Sequence, residues 1–217
     1  MYKAIKSRIF SQSHNSKIFT AAVLIAFITV AVKLVSMVKE LVVASAFGVG
    51  DELDAFLIAF IVPTFAINVI GGSMNSALIP VFIEVRENKG KESAQKLFSN
   101  ILVMSSAFLI CISVVLALLS PAILKTLGSS FSDEKLVLTE KLFLIILPIV
   151  LVNGLATTWS AILNAGERFG LVPIASLSIP VIIIITLLVG SIEMGVFALA
   201  VGTLAGFVLE ATMIAIG

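Results

Sequence analysis

Two lysines interrupt the first long apolar stretch of the chain, in the segment AVKLVSMVKE (31–40). Inserting a lysine at the centre of a membrane helix costs about 2.5–3.5 kcal/mol, and less towards either interface. Lys33 and Lys39 are therefore either charges that reach water along the helix or charges that attract an anion. On a helix they lie about 9 Å apart along the axis and about 120° around it. With Ser36 between them, they could line two walls of a wide cavity.

Further polar side chains lie in the later apolar stretches. They are Asn68, Ser73, Asn75 and Ser76 in the second stretch, Asn153, Thr157 and Thr158 in the fourth, and Glu210 in the sixth. Amides and hydroxyls in membrane helices commonly hydrogen-bond neighbouring helices. Glu210 has two interpretations: a solvated residue near the inner end of its helix, or a proton or cation site.

No pattern in the sequence indicates catalysis. There is no HExxH, GxxxxGK or CxxC, the spacings typical of zinc, phosphate and redox sites. The single cysteine, Cys111, cannot form an internal disulfide, and His14 has no second ligand near it in the sequence. A membrane enzyme would need clustered acids or histidines, and a solvated loop explains the cluster of Asp51, Glu52 and Asp54. We predict a protein that is not an enzyme and that has no metal or cofactor.

The composition is that of an integral membrane protein. Of the 217 residues, 59% are hydrophobic and 12% are charged, whereas soluble domains average about 45–50% apolar and about 25% charged residues. The net charge of +1 gives no indication of nucleic-acid binding. Six stretches are long enough to cross a bilayer, which takes about 20 residues. We predict helices at residues 18–47, 55–83, 97–119, 142–163, 171–190 and 195–217, after a basic segment at residues 1–17.

The basic residues predict the orientation. With the N-terminus inside, the inner connections carry nine basic residues and the outer ones four, which places the N-terminus in the cytoplasm. Within the second stretch, Pro63 and the pair Gly71-Gly72 predict a kink or a break. In the last stretch, Gly202 and Gly206 form a GxxxG motif, which predicts close helix packing.

The segment VKLVSMVKELVVASAFGVGDELDAFLIAFIVPTF (32–65) resembles the opening of the MviN-type lipid II flippases, the MurJ family. That family belongs to the multidrug/oligosaccharidyl-lipid/polysaccharide exporter superfamily. The matching positions are Lys33, Lys39-Glu40, Phe47-Gly48, Asp54-Ala55-Phe56, Ala59-Phe60 and Pro63. The segments ALIPVF (77–82) and AILNAGERFGLVP (161–173) also match, the latter including Asn164, Arg168 and Phe169. The similarity runs over nearly the whole chain.

The resemblance implies an all-α lobe of six transmembrane helices, the N-terminal lobe of a longer two-lobe flippase. By that resemblance the protein would move a polyprenyl-pyrophosphate-linked sugar precursor, similar to lipid II, across the bacterial cytoplasmic membrane by alternating access. Its expected partners are this lipid-linked sugar pyrophosphate, membrane lipids and a C-terminal lobe that these residues do not include. The last apolar stretch ends at Gly217 with no flanking basic residue, so we expect the chain to be cut there.

The residue patterns and the resemblance together assign two sets of positions. Substrate binding is assigned to Lys33, Ser36, Lys39, Asp54, Asn68 and Asn75, and structural or gating roles to Phe47, Gly48, Pro63, Gly71, Gly72, Arg168, Gly202 and Gly206. Family members typically have arginine where this chain has its two lysines, and a further arginine near Asn68 has no basic counterpart here. Lysine keeps the charge but loses the two-pronged grip of arginine on phosphate oxygens.

Three other functions stay open. The chain could belong to a flippase for O-antigen or exopolysaccharide repeat units, to a cation-coupled multidrug exporter of the same superfamily, or to an inactive truncated product. A cation-coupled exporter is expected to carry a carboxylate deep in its first helix, and no acidic residue lies between Ile18 and Lys39.

Overall fold

The computed structural model describes the backbone of residues 2–165 and 170–216 and the side chains of residues 23, 25–69, 76–163 and 170–216. This part of the chain is helical apart from short connections. The helices are α1 (Tyr2–Phe47), α2 (Asp51–Leu127), α3 (Asp133–Ile146), α4 (Ile149–Ala165), α5 (Leu171–Ala175), α6 (Ser178–Met194) and α7 (Val196–Ile216). The predicted all-α fold is confirmed.

The turn between α1 and α2 uses a glycine in the left-handed region. Gly48 has φ +58°, which favours glycine because it has no Cβ. Its N–H donates to the Ala44 carbonyl at 2.9 Å and closes the last turn of α1. Three residues later α2 begins, with Asp51, Glu52 and Asp54 in its first turn. Negative side chains at this end of a helix interact favourably with the helix dipole.

α2 reverses direction at Gly90. The φ of Gly90 is +82° and its ψ is 173°, a combination open essentially only to glycine. A straight helix of 77 residues would be about 115 Å long, yet Lys135, shortly after its end, bonds Asp51 and Asp54 at its start. The helix therefore consists of two antiparallel arms, which we call the first arm (51–89) and the second arm (91–127).

α3 begins well before the apolar stretch that predicts it. The sequence predicts a helix start at residue 142, whereas α3 begins at Asp133. Ser132 caps this helix, because its hydroxyl oxygen accepts the Lys135 backbone N–H at 3.3 Å. Asp133 and Glu134 in the first turn add favourable charge at the same end. Capping residues and charge thus extend the helix beyond its membrane-embedded part.

Five stretches of the described side chains are long and apolar enough to cross a membrane, judged by length and composition. At the level of the backbone there are six membrane-length segments: α1, the two arms of α2, α3 followed by α4, α5 followed by α6, and α7. α4 follows α3 directly at Leu147-Pro148, and α6 follows α5 at Ser176-Leu177. The predicted bundle of six transmembrane helices is confirmed, and the chain is a multi-pass membrane protein.

α7 packs against α6 with the two backbones close together. A Cβ at Gly206 would lie 2.8 Å from the Ile179 Cα, and a Cβ at Gly202 would overlap the Thr186 hydroxyl and lie 3.3 Å from the Ile183 Cα. Small residues allow this close approach in membrane helices. α7 also contacts α3, α4 and α5, so it occupies the centre of the lobe.

Candidate functional site

A mostly apolar cavity lies between α1, the first arm of α2, α6 and α7. Its volume is about 400 Å³. Lys39 and Glu40 of α1 are the charged residues among those described that line it. The apolar wall includes Leu53, Phe56, Phe60, Ile183, Leu199 and Phe207. Such a lining suits a ligand that is apolar over most of its surface and charged at one point.

The first arm supplies one wall of this cavity through two phenylalanines one turn apart. The rings of Phe56 and Phe60 are stacked, with centroids 5.7 Å apart and an interplanar angle of 13°. Residues four apart lie on the same face of a helix. Ala55 and Ala59 precede the two rings in the sequence and have no exposed surface. The small alanines belong to the buried core, and the aromatic side chains beside them line the cavity.

Lys39 brings a positive charge to the cavity. Its side chain is 22% exposed, and its ammonium donates to the Glu40 carboxylate at 2.5 Å. Glu40 is far more exposed, at 68%. The ammonium has three N–H donors, and the described contacts use one of them. The remaining donors can bind an anionic group that enters the cavity.

Lys33 and Ser36 are placed differently from Lys39. Lys33 is exposed and is not among the described residues that line the cavity. The Ser36 hydroxyl is partly buried and donates to the Val32 carbonyl of its own helix at 2.9 Å. Asn68 on the first arm is exposed. The structure therefore does not bring the two lysines into one cavity within this lobe.

Asp54 is engaged by a residue that we did not predict as a partner. Its Oδ2 accepts a hydrogen bond from the Lys135 ammonium at 2.9 Å, and Asp51 Oδ1 accepts a second one at 2.7 Å. The same ammonium lies over the Phe131 ring, 4.0 Å from its centroid. Asp54 thus joins the start of α2 to the start of α3. No short-range pattern signals this contact, because the partners are 81 positions apart.

The other predicted positions fall into two groups. Phe47 packs against the buried core, and Pro63 is fully buried in the first arm. Three further positions lie where no side chain is described, namely Gly71, Gly72 and Asn75, and Arg168 lies outside the described residues altogether. Their predicted roles stay predictions.

A second, polar cavity contains Glu210, for which the sequence allowed two interpretations. It has a volume of about 230 Å³ and is lined by polar side chains of α4 and by Glu210 of α7. The Ser176 hydroxyl, just after α5, donates to the Glu210 carboxylate at 2.7 Å. Three segments therefore meet at one buried acid.

The fold and the first cavity define a multi-pass helical membrane protein with a partly charged, mostly apolar binding space. The family model described as "Lipid II flippase MurJ" matches residues 43–216. This chain belongs to the MurJ family of lipid II flippases, as the resemblance in its opening segment predicts.

Individual relatives agree with this assignment. The chain is 30% identical over 196 residues to the lipid II flippase MurJ of Thermosipho africanus (strain TCF52B), covering 88% of this chain and 40% of that protein. It is 28% identical over 150 residues to the probable lipid II flippase MurJ of Buchnera aphidicola subsp. Acyrthosiphon pisum (strain APS), covering 68% of this chain and 29% of that protein.

A solved structure also matches. It is a lipid II flippase MurJ in an inward closed conformation, with a TM-score of 0.77 and 26% sequence identity, covering 89% of this chain and 41% of that one. The chain therefore spans less than half the length of these relatives.

Proposed function

We propose that this chain forms the N-terminal lobe of a flippase for a polyprenyl-pyrophosphate-linked sugar precursor, similar to lipid II. The observation that carries the proposal is the cavity in which Lys39 lies among apolar side chains, in a chain of the MurJ family. A lipid-linked pyrophosphate has both kinds of surface, an anionic group and a long apolar chain. The lipid would move across the bacterial cytoplasmic membrane by alternating access.

The charge on Lys39 would stabilise the pyrophosphate inside the lobe. A lysine ammonium binds phosphate as a compact point charge, and hydrogen bonds to charged groups contribute about 1.5–3 kcal/mol each. Glu40 competes for the same ammonium at 2.5 Å. Its high exposure allows its carboxylate to move into water when a phosphate arrives. The pair then serves as a resting contact that the substrate replaces.

Lys33 would act at the boundary with a second lobe. In secondary transporters the substrate site lies near the membrane midplane between two repeats. Lys33 is exposed on α1, six residues before Lys39, and a C-terminal lobe facing α1 would enclose it. On this proposal the two lysines hold successive positions of the pyrophosphate along one helix. Asn68, exposed on the first arm, would contact the sugar headgroup.

The membrane potential would favour outward movement of the substrate. With the N-terminus in the cytoplasm, as the basic residues predict, an inside-negative potential favours outward transfer of an anion by about 2.3 kcal/mol per charge per 100 mV. No nucleotide-binding pattern is present in the sequence.

The test uses the full two-lobe transporter in lipid vesicles with a labelled lipid-linked sugar pyrophosphate. We expect Lys39→Ala to reduce flipping about tenfold or more, since it removes a charge-assisted contact. Lys39→Arg should retain flipping. Lys125→Ala, which changes an exposed lysine near the end of α2, is the matched control. Flipping by Lys39→Ala equal to wild type, at equal protein level, would refute the role of Lys39.

The same vesicles distinguish the other functions. Transport of O-antigen-type repeat units in preference to lipid II would reassign the substrate. Export of cationic drugs along a sodium or proton gradient, without movement of lipid, would identify a multidrug exporter. The 217-residue chain without a second lobe is expected to bind the lipid-linked substrate but not to flip it.

A further inference from the structure

Glu210 is a buried acid with one oxygen left unpaired. The residue is 7% exposed and lies on α7, the central helix of the lobe. Its Oε1 accepts a hydrogen bond from the Ser176 hydroxyl at 2.7 Å. Its Oε2 is buried and has no hydrogen-bond partner among the described residues. A buried carboxylate oxygen without a partner is costly and rare in folded proteins, so it calls for a ligand.

The cavity beside Glu210 offers the oxygen atoms that such a ligand would need. Asn153, Thr157 and Ser160 line it, and all three belong to α4. The Thr157 hydroxyl donates to the Asn153 backbone carbonyl at 2.9 Å, which leaves oxygen lone pairs on the hydroxyl and on the amide. The volume of about 230 Å³ far exceeds the roughly 10–15 Å³ that one water needs. The space accepts an ion together with part of its hydration shell.

We propose that this cavity binds one sodium ion, with Glu210 Oε2 as the anchoring ligand and the side-chain oxygens of α4 as the remaining protein ligands. Carboxylate, amide and hydroxyl oxygens are hard ligands, which suit hard cations. Glu210 is the one carboxylate among the described residues that line the cavity, and a single negative charge matches a monovalent ion. No group of three His, Cys, Asp or Glu side chains in the described part of the chain could hold a transition metal.

A proton is the competing occupant of this site, because it too would neutralise the buried carboxylate. A proton on Oε2 turns that oxygen into an O–H donor, and the α4 side-chain oxygens that line the same cavity are its candidate acceptors. A sodium ion instead satisfies Oε2 directly and neutralises the buried charge. Its binding would join α4 to α7 at the point where Ser176 already ties the start of α6 to α7. The binding itself does not depend on the proposed lipid substrate, so it is measured without lipid transport.

The experiment measures the melting temperature of the purified chain in nanodiscs as Na⁺ replaces choline at constant ionic strength. We expect Tm to rise with Na⁺, by roughly 3–5 °C at a Na⁺ concentration tenfold above the dissociation constant. Equal concentrations of K⁺ should produce a smaller rise. Glu210→Gln should abolish the response, and Glu193→Gln, at an exposed acid, should leave it unchanged.

Two further measurements decide the matter if Glu210→Gln does not fold. Asn153→Ala and Ser160→Ala should each weaken the Na⁺ response several-fold. In ²³Na NMR, the wild-type chain should broaden the sodium line, and added Li⁺ should reverse the broadening by displacing Na⁺. A Tm that follows pH alone, or that rises equally with choline, overturns the proposal. So does a Na⁺ response that survives in Glu210→Gln.

Discussion

The Lys135 ammonium lies 2.9 Å from the Asp54 carboxylate, and the two residues are 81 positions apart in the sequence. Asp51 lies 2.7 Å from the same ammonium. The lysine side chain is 11% exposed, whereas both acids are largely exposed. The contact holds together the ends of the two arms that lie away from Gly90. It does so because it joins the start of the first arm to α3, which follows the second arm. Asp54 therefore has a structural partner within the lobe.

Lys135→Ala should lower the Tm of the purified chain, because it removes both ion pairs and the contact with the Phe131 ring. Lys135→Arg should keep most of the stability. The effect should shrink as salt is raised, since partly exposed ion pairs are screened by salt. Lys141→Ala, at an exposed lysine of the same helix, is the control. An equal loss of Tm in both alanine variants would show that the contact between Lys135 and the acids does not stabilise the lobe.

Gly206→Ala should separate α6 from α7. The added Cβ would lie 2.8 Å from the Ile179 Cα, and a backbone atom cannot move aside as a side-chain tip can. We expect a loss of about 1–3 kcal/mol in the free energy of unfolding, typical of overpacking. Gly170→Ala is the matched control, since no described atom lies within 4 Å of its new Cβ. The two variants are compared by thermal unfolding in nanodiscs, and similar Tm values would contradict the packing role.

Gly90→Ala tests the reversal of α2 by its backbone alone. No described atom lies within 4 Å of the added Cβ, so steric crowding by neighbours is absent from this test. The φ of +82° and ψ of 173° should cost an alanine about 1–3 kcal/mol. We expect a lower Tm and a lower yield of inserted protein than for Lys91→Ala, an exposed neighbour. Wild-type stability in Gly90→Ala would mean that the chain reverses elsewhere.

Glu40→Gln should strengthen anion binding in the mostly apolar cavity that Lys39 lines. The substitution removes the carboxylate that accepts a hydrogen bond from Lys39 and leaves the ammonium free for a ligand. Exposed ion pairs contribute about 0.2–1 kcal/mol, so a pyrophosphate-bearing lipid analogue should bind roughly 1.5- to 5-fold more tightly. Fluorescence titration measures the dissociation constant, with Glu134→Gln as an exposed control. Weaker binding by Glu40→Gln would assign the carboxylate itself to the ligand.

The membrane helices are predictable because the bilayer demands long apolar stretches, and each such stretch here becomes a helix. Their ends are less predictable, because they depend on local chemistry outside the apolar run. α3 begins at Asp133 through the Ser132 cap, and the charged stretch on either side of Gly90 is helical as well.

The structure brings only some of the predicted site residues to a cavity, for reasons of tertiary packing. Lys39 reaches a cavity because α6 and α7 happen to cross beside it, whereas Lys33, on the same apolar helix, stays exposed. Nothing in the spacing of the two lysines distinguishes them. Glu210 had two interpretations in the sequence. Its burial against Ser176, 34 positions earlier, excludes the solvated one.

The reversal of α2 has a mechanical consequence. Each arm is about 55–60 Å long, about twice the hydrocarbon thickness of roughly 30 Å, so the end that carries Gly90 extends well outside the membrane. Lys135 holds the opposite end, and Phe56 and Phe60 of the cavity wall lie close to it on the first arm. The first arm therefore connects a water-exposed segment next to Gly90 with the wall of the cavity. An antibody fragment that binds this water-exposed segment would therefore act on the cavity wall without entering the bilayer.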